Sequence, residues 1–422
     1  MPRFPSARDV QIAARVRTLA CLVLAGCMTD PTGATCLPAP GGDGYCGGGG
    51  GGTSHFQGWG SPSVIALHTG ADRAAGTAVD ALHVAIGGWQ TDGASETDLV
   101  TVSGGVAKRT RLELGDDRAG PAQLGFAAGH EVIAWSDVQG GPSYAAPLAD
   151  PASRVALGDG FIRLHRVGDR FLALHDLQAG TIDGTWLAAD GTSAGAFEKT
   201  GDPGDAFAVA AGGDVLALAI VHVRDDGSRE LRVTRIAPDG SVIAADQLVA
   251  ASQFLDDARV IVLPDTGVLV LYRAEDGVHA ARIAPAGTLT DVATDARPPF
   301  RAAVRGDTIL ALSFDTDASV DVTAAYDVTS RVLDLDGRVV AGPNAIGESS
   351  FDLSVAPTAA GYAVGDGTTD DSVSLVTLDA SGRTAGAPLS LAASSSGGCN
   401  SGGSPGLALA LLGLVLGRRR SA

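Results

Sequence analysis

One pattern recurs along the middle of this chain: two apolar residues, a small residue, then another apolar residue. Its third position falls on Ala85, Ala134, Ala173, Ala217, Val270, Ala311 and Ala363. The spacing averages about 46 residues, the length of one four-stranded propeller blade. Several copies open after a tight turn, as at Gly129-His130, Gly168-Asp169, Gly213-Asp214 and Gly306-Asp307. A second turn follows in most units, at Asp190-Gly191, Asp239-Gly240, Ala286-Gly287, Asp336-Gly337 and Ser381-Gly382. Asp and Gly between apolar runs signal a hairpin, because both tolerate the positive backbone angle that such turns require.

No segment between the turns carries a sustained helical period with caps. The expected fold is therefore all-β: a β-propeller over 62–392, of seven four-stranded blades. Six or eight blades are the alternatives, since the first and last copies are the weakest. The apolar run of each second strand suits burial on both faces. The small third residue suits crowding toward the central channel. The strand at Val64–Leu67 precedes the first copy and is expected to complete the last blade, closing the ring without a free edge.

Composition agrees with such a body. Of 422 residues 45% are hydrophobic and 18% charged, enough apolar surface for a core and too little charge for a coiled coil. The formal net charge of -18 argues against a nucleic-acid partner, which needs a basic surface.

The two ends read as signals. Arg3, Arg8, Arg15 and Arg17 precede an apolar stretch, Thr18 to Gly26, too short to span a membrane. It ends in Leu24-Ala25-Gly26-Cys27, which resembles the lipobox of bacterial lipoproteins. The resemblance implies that residues 1–26 are removed and that Cys27 carries the lipid. Residues 27–61 follow as a Cys-, Pro- and Gly-rich tether. Cys36 and Cys46 are the cysteines left to pair within it, and an exported location favours a disulfide between them.

The segment 393–422 holds a Gly/Ser linker, Cys399, an apolar run from Leu407 to Leu416, and Arg418, Arg419 and Arg420. That layout resembles the MYXO-CTERM sorting tail of myxobacterial surface proteins, which implies processing near Cys399 and routing to the cell surface. Met28 rather than Asp follows Cys27. In lipoprotein families, absence of Asp at that place favours the outer membrane over retention at the inner one. The expected location is the cell envelope, at the outer membrane or cell surface, with the membrane as partner through the lipid.

Chemistry-bearing motifs are sparse in the body. Gly191-Thr192-Ser193-Ala194-Gly195 spells G-x-S-x-G but falls on a repeated hairpin turn, without the strand-to-helix setting of a nucleophile elbow. Thr181–Trp186 is faintly similar to the Asp-box of sialidase propellers, although Gly follows Asp183 directly. His165 and His175 flank one hairpin, where polar strand positions explain them. Calcium, if any, would fall at acidic loops: Asp225-Asp226, Asp315 and Asp317 with Asp321, or Asp370-Asp371. Asp315-x-Asp317 lacks the next alternate ligand and the following Gly, so solvated acidic loops are the reading, with no cofactor and no other metal. Two functions remain. One is a binding or scaffold module for an envelope protein or glycan. The other is an exported hydrolase or lyase using channel-mouth carboxylates on a glycan or ester.

Overall fold

The computed structural model describes residues 56–59, 63–68, 80–90, 95–114, 119–137, 141–160, 162–175, 181–200, 205–314, 326–349, 353–367 and 373–391. Among them the strands form seven antiparallel sheets, the blades of a β-propeller. In blade 1, β1 (Phe56–Trp59) and β2 (Ser63–His68) lie one after the other along β3 (Asp80–Gln90), followed by β4 (Ser95–Ser103) and β5 (Val106–Leu112). Blade 2 holds β6 (Ala119–Ala127), β7 (His130–Asp137), β8 (Pro142–Pro147) and β9 (Val155–Asp159). Blade 3 holds β10 (Ile162–Val167), β11 (Arg170–His175), β12 (Thr181–Leu187) and β13 (Ser193–Thr200). Blade 4 holds β14 (Ala206–Gly212), β15 (Val215–Val223), β16 (Arg229–Ile236) and β17 (Val242–Ser252). Blade 5 holds β18 (Leu255–Val262), β19 (Val268–Ala274), β20 (Gly277–Ile283) and β21 (Leu289–Thr294). Blade 6 holds β22 (Arg301–Arg305), β23 (Thr308–Phe314), β24 (Tyr326–Asp334) and β25 (Val339–Ser349). Blade 7 holds β26 (Leu353–Pro357), β27 (Gly361–Gly367), β28 (Val373–Asp379) and β29 (Leu389–Ser390).

Every blade is built from consecutive strands. The expected closure through Val64–Leu67 is therefore overturned. That segment is the first strand of blade 1, with Val64 opposite Val84 and Leu67 opposite Ala81. The ring closes by packing, β2 lying beside β26 and β27 rather than pairing into blade 7. β1 also falls inside the segment 27–61, so pairing begins at Phe56.

The core lies between blades. Leu216, Leu218 and Ile220 of β15 face Leu172, Leu174 and Trp186 of blade 3, while Val215, Ala217, Ala219 and Val221 face Val268 and Val270 of blade 5. Both faces of each second strand are thus buried, as its unbroken apolar run implies. The small residue of the motif, however, faces a neighbouring blade rather than the channel. Ala134 and Ala217 look toward the following blade, and Ala173 and Ala311 look back to the preceding one. The motif slips by one residue between copies, and side chains alternate with period two.

Outer turns lock neighbouring blades together. Those at Ala188–Thr192, Ala237–Ser241, Ala284–Thr288, Asp334–Arg338 and Asp379–Arg383 share one pattern. The first N–H donates to the fifth carbonyl at 2.8–2.9 Å, and the Gly N–H donates back to the first carbonyl at 2.8–3.0 Å. This is a type I turn closed by a left-handed residue, here Gly191, Gly240, Gly287, Gly337 and Gly382. Blades 4 and 6 each grip the turn of the blade that follows. Arg235 donates to the carbonyl of Pro285 at 2.9 Å, and the Ser330 hydroxyl to that of Gly382 at 2.6 Å.

Candidate functional site

The strand directions separate two faces. The turns between first and second strands and between third and fourth strands lie on one, the turn face. The other, the loop face, carries the connections from second to third strand and from blade to blade. The second-to-third connections there differ widely, from the two residues 275–276 in blade 5 to the segment 315–325 in blade 6.

Buried polar side chains gather toward the loop face, at the ends of second strands and the starts of third strands: Asp98, Ser136, Ser143, Glu230, Ser313 and Asp366. Most are held by specific partners. Asp98 pairs with Arg109, and Glu230 with Arg224 and Arg232. Ser349 donates to Asp366. Ser136 Oγ accepts the N–H of Ile162 at 3.2 Å, tying blade 2 to blade 3. Ser313 Oγ is sealed from solvent with no partner among the described residues. The guanidinium of Arg224, then that of Arg232, holds the Glu230 carboxyl below its ordinary range.

Three side chains line up in the order of a serine-hydrolase triad. Ser143 Oγ lies 3.5 Å from His175 Nε2, and His175 Nδ1 lies 3.3 Å from Asp183 Oδ2. The burial runs the wrong way for catalysis. Ser143 is 0% exposed and its hydroxyl donates to the Gly158 carbonyl at 2.9 Å, while the Asp183 side chain is 60% exposed. A nucleophile must be reached by its substrate, and the orienting carboxylate is the group that needs shelter. The arrangement fits a latch between blades 2 and 3.

Two other histidines are held by carboxylates at this end. His222 Nδ1 lies 2.9 Å from Asp205. In blade 5, His279 stacks on Tyr272 with centroids 5.2 Å apart and lies between Asp276, at 2.9 Å, and Asp291, at 3.4 Å. Tyr272 donates to Asp291 at 3.1 Å; burial first, then that carboxylate, pushes its phenol up. His165 does not meet His175, since it stands opposite Leu172 while His175 stands opposite Ile162. Burial, with Arg163 adding to it, lowers His165 to about 4, so its ring is neutral near pH 7.

The G-x-S-x-G segment sits on the hairpin turn between β12 and β13. At Asp225-Asp226 the second carboxylate is taken up by its own turn, its Oδ1 accepting from Ser228 N–H at 2.9 Å and from Ser228 Oγ at 2.6 Å. Among the described residues no group of three or more His, Cys, Asp or Glu side chains is placed to hold a metal ion. Cys27, Cys36, Cys46, Cys399, Arg418, Arg419 and Arg420 lie outside the described residues, as do Asp315, Asp317, Asp321, Asp370 and Asp371. Sequence reasoning missed Ser143, Asp183 and the Tyr272–His279 stack. Ser143 and His175 belong to different blades, and no spacing rule connects them.

No family model matches the chain, and no curated protein sequence matches it. Solved structures are similar in architecture. The β-propeller domain of the Trilobed protease from Pyrococcus furiosus, described as having an open velcro topology, matches with a TM-score of 0.48 at 11% identity. The match covers 82% of this chain and 99% of that one. Prolyl oligopeptidase B from Galerina marginata gives a TM-score of 0.46 at 11% identity, over 78% of this chain and 49% of that one. Pyrococcus horikoshii acylaminoacyl peptidase gives 0.44 at 13% identity, over 79% and 52%. The chain spans about half the length of these two peptidases. At this level of likeness no activity passes to the present chain.

Proposed function

We propose that the chain is a lipid-anchored propeller of the cell envelope that works as a binding or scaffold module, its ligand an envelope protein or glycan. The observation that supports this is the loop face, where the second-to-third connections run from two residues in blade 5 to eleven in blade 6. Unequal loops on a rigid frame are the layout of a binding surface. Such a module needs no cofactor. Cys27 is its anchor, Cys36 and Cys46 pair in the tether, and Cys399 with Arg418, Arg419 and Arg420 directs sorting to the surface.

The test compares loop-face and turn-face variants. Full-length protein on intact cells should retain an envelope protein or glycan. Retention should fall when 315–325 is replaced by a short Gly-Ser link and persist when turn 284–288 is exchanged for turn 237–241. Equal retention by both variants would remove the loop face from the reading. A panel of glycans and esters covers the enzymatic alternative: turnover abolished by one Asp substitution would make the protein a hydrolase or lyase. Anchoring has its own assay. Cys27→Ala should release the protein from membranes, and unchanged fractionation would show that Cys27 carries no lipid.

A further inference from the structure

The way the ring closes decides which face turns toward the membrane. β1 enters blade 1 with Phe56 opposite Gln90, at the loop-face end of β3. The last strand, β29, pairs its Leu389 and Ser390 with Leu375 and Ser374, and Leu391 N–H donates to the Val373 carbonyl at 2.7 Å. Val373 begins β28 on the loop face. Both ends of the described chain therefore leave the same face, from neighbouring blades 1 and 7. This follows from building every blade out of consecutive strands. First strands run from loop face to turn face, and fourth strands run back. Had β2 completed blade 7 as its fourth strand, both ends would have left through the turn face.

We infer that the anchored propeller holds its loop face toward the membrane and its turn face outward, so that the partner of the loop face is itself seated at that membrane. This deepens the proposed function and rests on Cys27 as the anchor. With Cys36 and Cys46 joined, about 20 residues of Gly-rich chain remain to reach from Cys27 to Phe56, and a chain of that length has an r.m.s. span of about 25 Å. The nine residues of β15 alone rise about 30 Å along the blade. Turning the domain over would thus draw the tether out along the whole height of a blade, at a cost in chain entropy.

The two ends of β20 provide a ruler. Glu275 is exposed on the loop face and Ala286 on the turn face, with the seven residues of β20 between them, about 20 Å. A short dye-binding peptide is inserted after one or the other in the acylated full-length protein, which is then placed in vesicles carrying an acceptor dye at the lipid headgroup. Energy transfer from the insertion after Glu275 should exceed that from the insertion after Ala286 several-fold. Equal or reversed transfer would overturn the orientation. Cys27→Ala separates the two layers. If the anchor reading holds, transfer disappears at both positions in that variant; persisting transfer would refute the anchor, whatever the ratio between the faces.

Discussion

Arg282, on the third strand of blade 5, places Nη1 2.7 Å from Oδ1 of Asp336 in the outer turn of blade 6. Its Nη2 lies 2.7 Å from Asp265 of its own blade. One guanidinium thus fastens two blades, and Arg235 takes the same place between blades 4 and 5 by donating to a backbone carbonyl. Position in the repeat is kept while the chemistry of the grip changes.

Arg282→Ala should lower stability by about 1 kcal/mol, since all three side chains are partly exposed and solvent screens the pair. Thermal unfolding of Arg282→Ala, Asp336→Ala and the double variant measures this. The double variant should lose less than the sum of the single losses. Strict additivity would mean that the two side chains do not interact.

Gly337 and Gly287 occupy the same turn position with the same backbone, φ 85 and 89. A Cβ on Gly337 would stand 2.3 Å from Ala280 Cβ, whereas on Gly287 the nearest atom is Gln247 Oε1 at 3.9 Å. Gly287→Ala should therefore cost only the backbone term, about 1 kcal/mol. Gly337→Ala should cost about 1–3 kcal/mol more through overpacking. Denaturant titration of both variants gives the comparison, and equal losses would contradict the close approach of blades 5 and 6.

Stability should fall in two steps on acidification. His165 is lowered from 6.5 to about 4, so the unfolded chain takes up its proton first. Stability present above pH 6.5 is lost as pH falls from there toward 4. The turn carboxylates act lower. The hydroxyls of Thr192, Ser228, Ser241 and Ser381 hold Asp190, Asp226, Asp239 and Asp379 below the ordinary 3.8. Their contribution is present above 3.8 and disappears as pH falls through the lower folded values. His165→Gln should flatten the upper step and leave the lower one. Thermal melts from pH 8 to 2 would show this, and an unchanged upper step would exonerate His165.

Ser143 should be inert toward a fluorophosphonate in the folded protein, because its hydroxyl is buried and donates to Gly158. Labelling at Ser143 would restore the triad reading. Ser143→Ala should cost about 1–3 kcal/mol by leaving the Gly158 carbonyl without that donor.

Much of the fold is legible in the residues. Short apolar strands and Asp-Gly turns are local features, and local pairing of neighbours in sequence is what each hairpin needs. The polar latches are another matter. Ser136, Ser143 and Ser349 look like ordinary strand residues, and each acquires its partner only when blades meet. Ser136 finds Ile162, Ser143 finds His175, and Ser349 finds Asp366.

The residues alone settle the all-β class, the repeat of about 46 residues and the glycine turns, because these depend on spacing and on backbone angles that few residues adopt. The seven sheets of the structure exclude the alternatives of six or eight blades. Tertiary structure decided the closure. Residues 63–68 present the same unbroken apolar run, Val64 to Leu67, and the same backbone groups to either available edge, so nothing local chooses β3 over blade 7. It also decided where the small residue of the motif points: a one-residue slip, invisible in an apolar run, sends Ala134 forward and Ala173 back. From the closure follows the face through which both ends leave. That is a non-local outcome, set by how seven sheets pack around one axis.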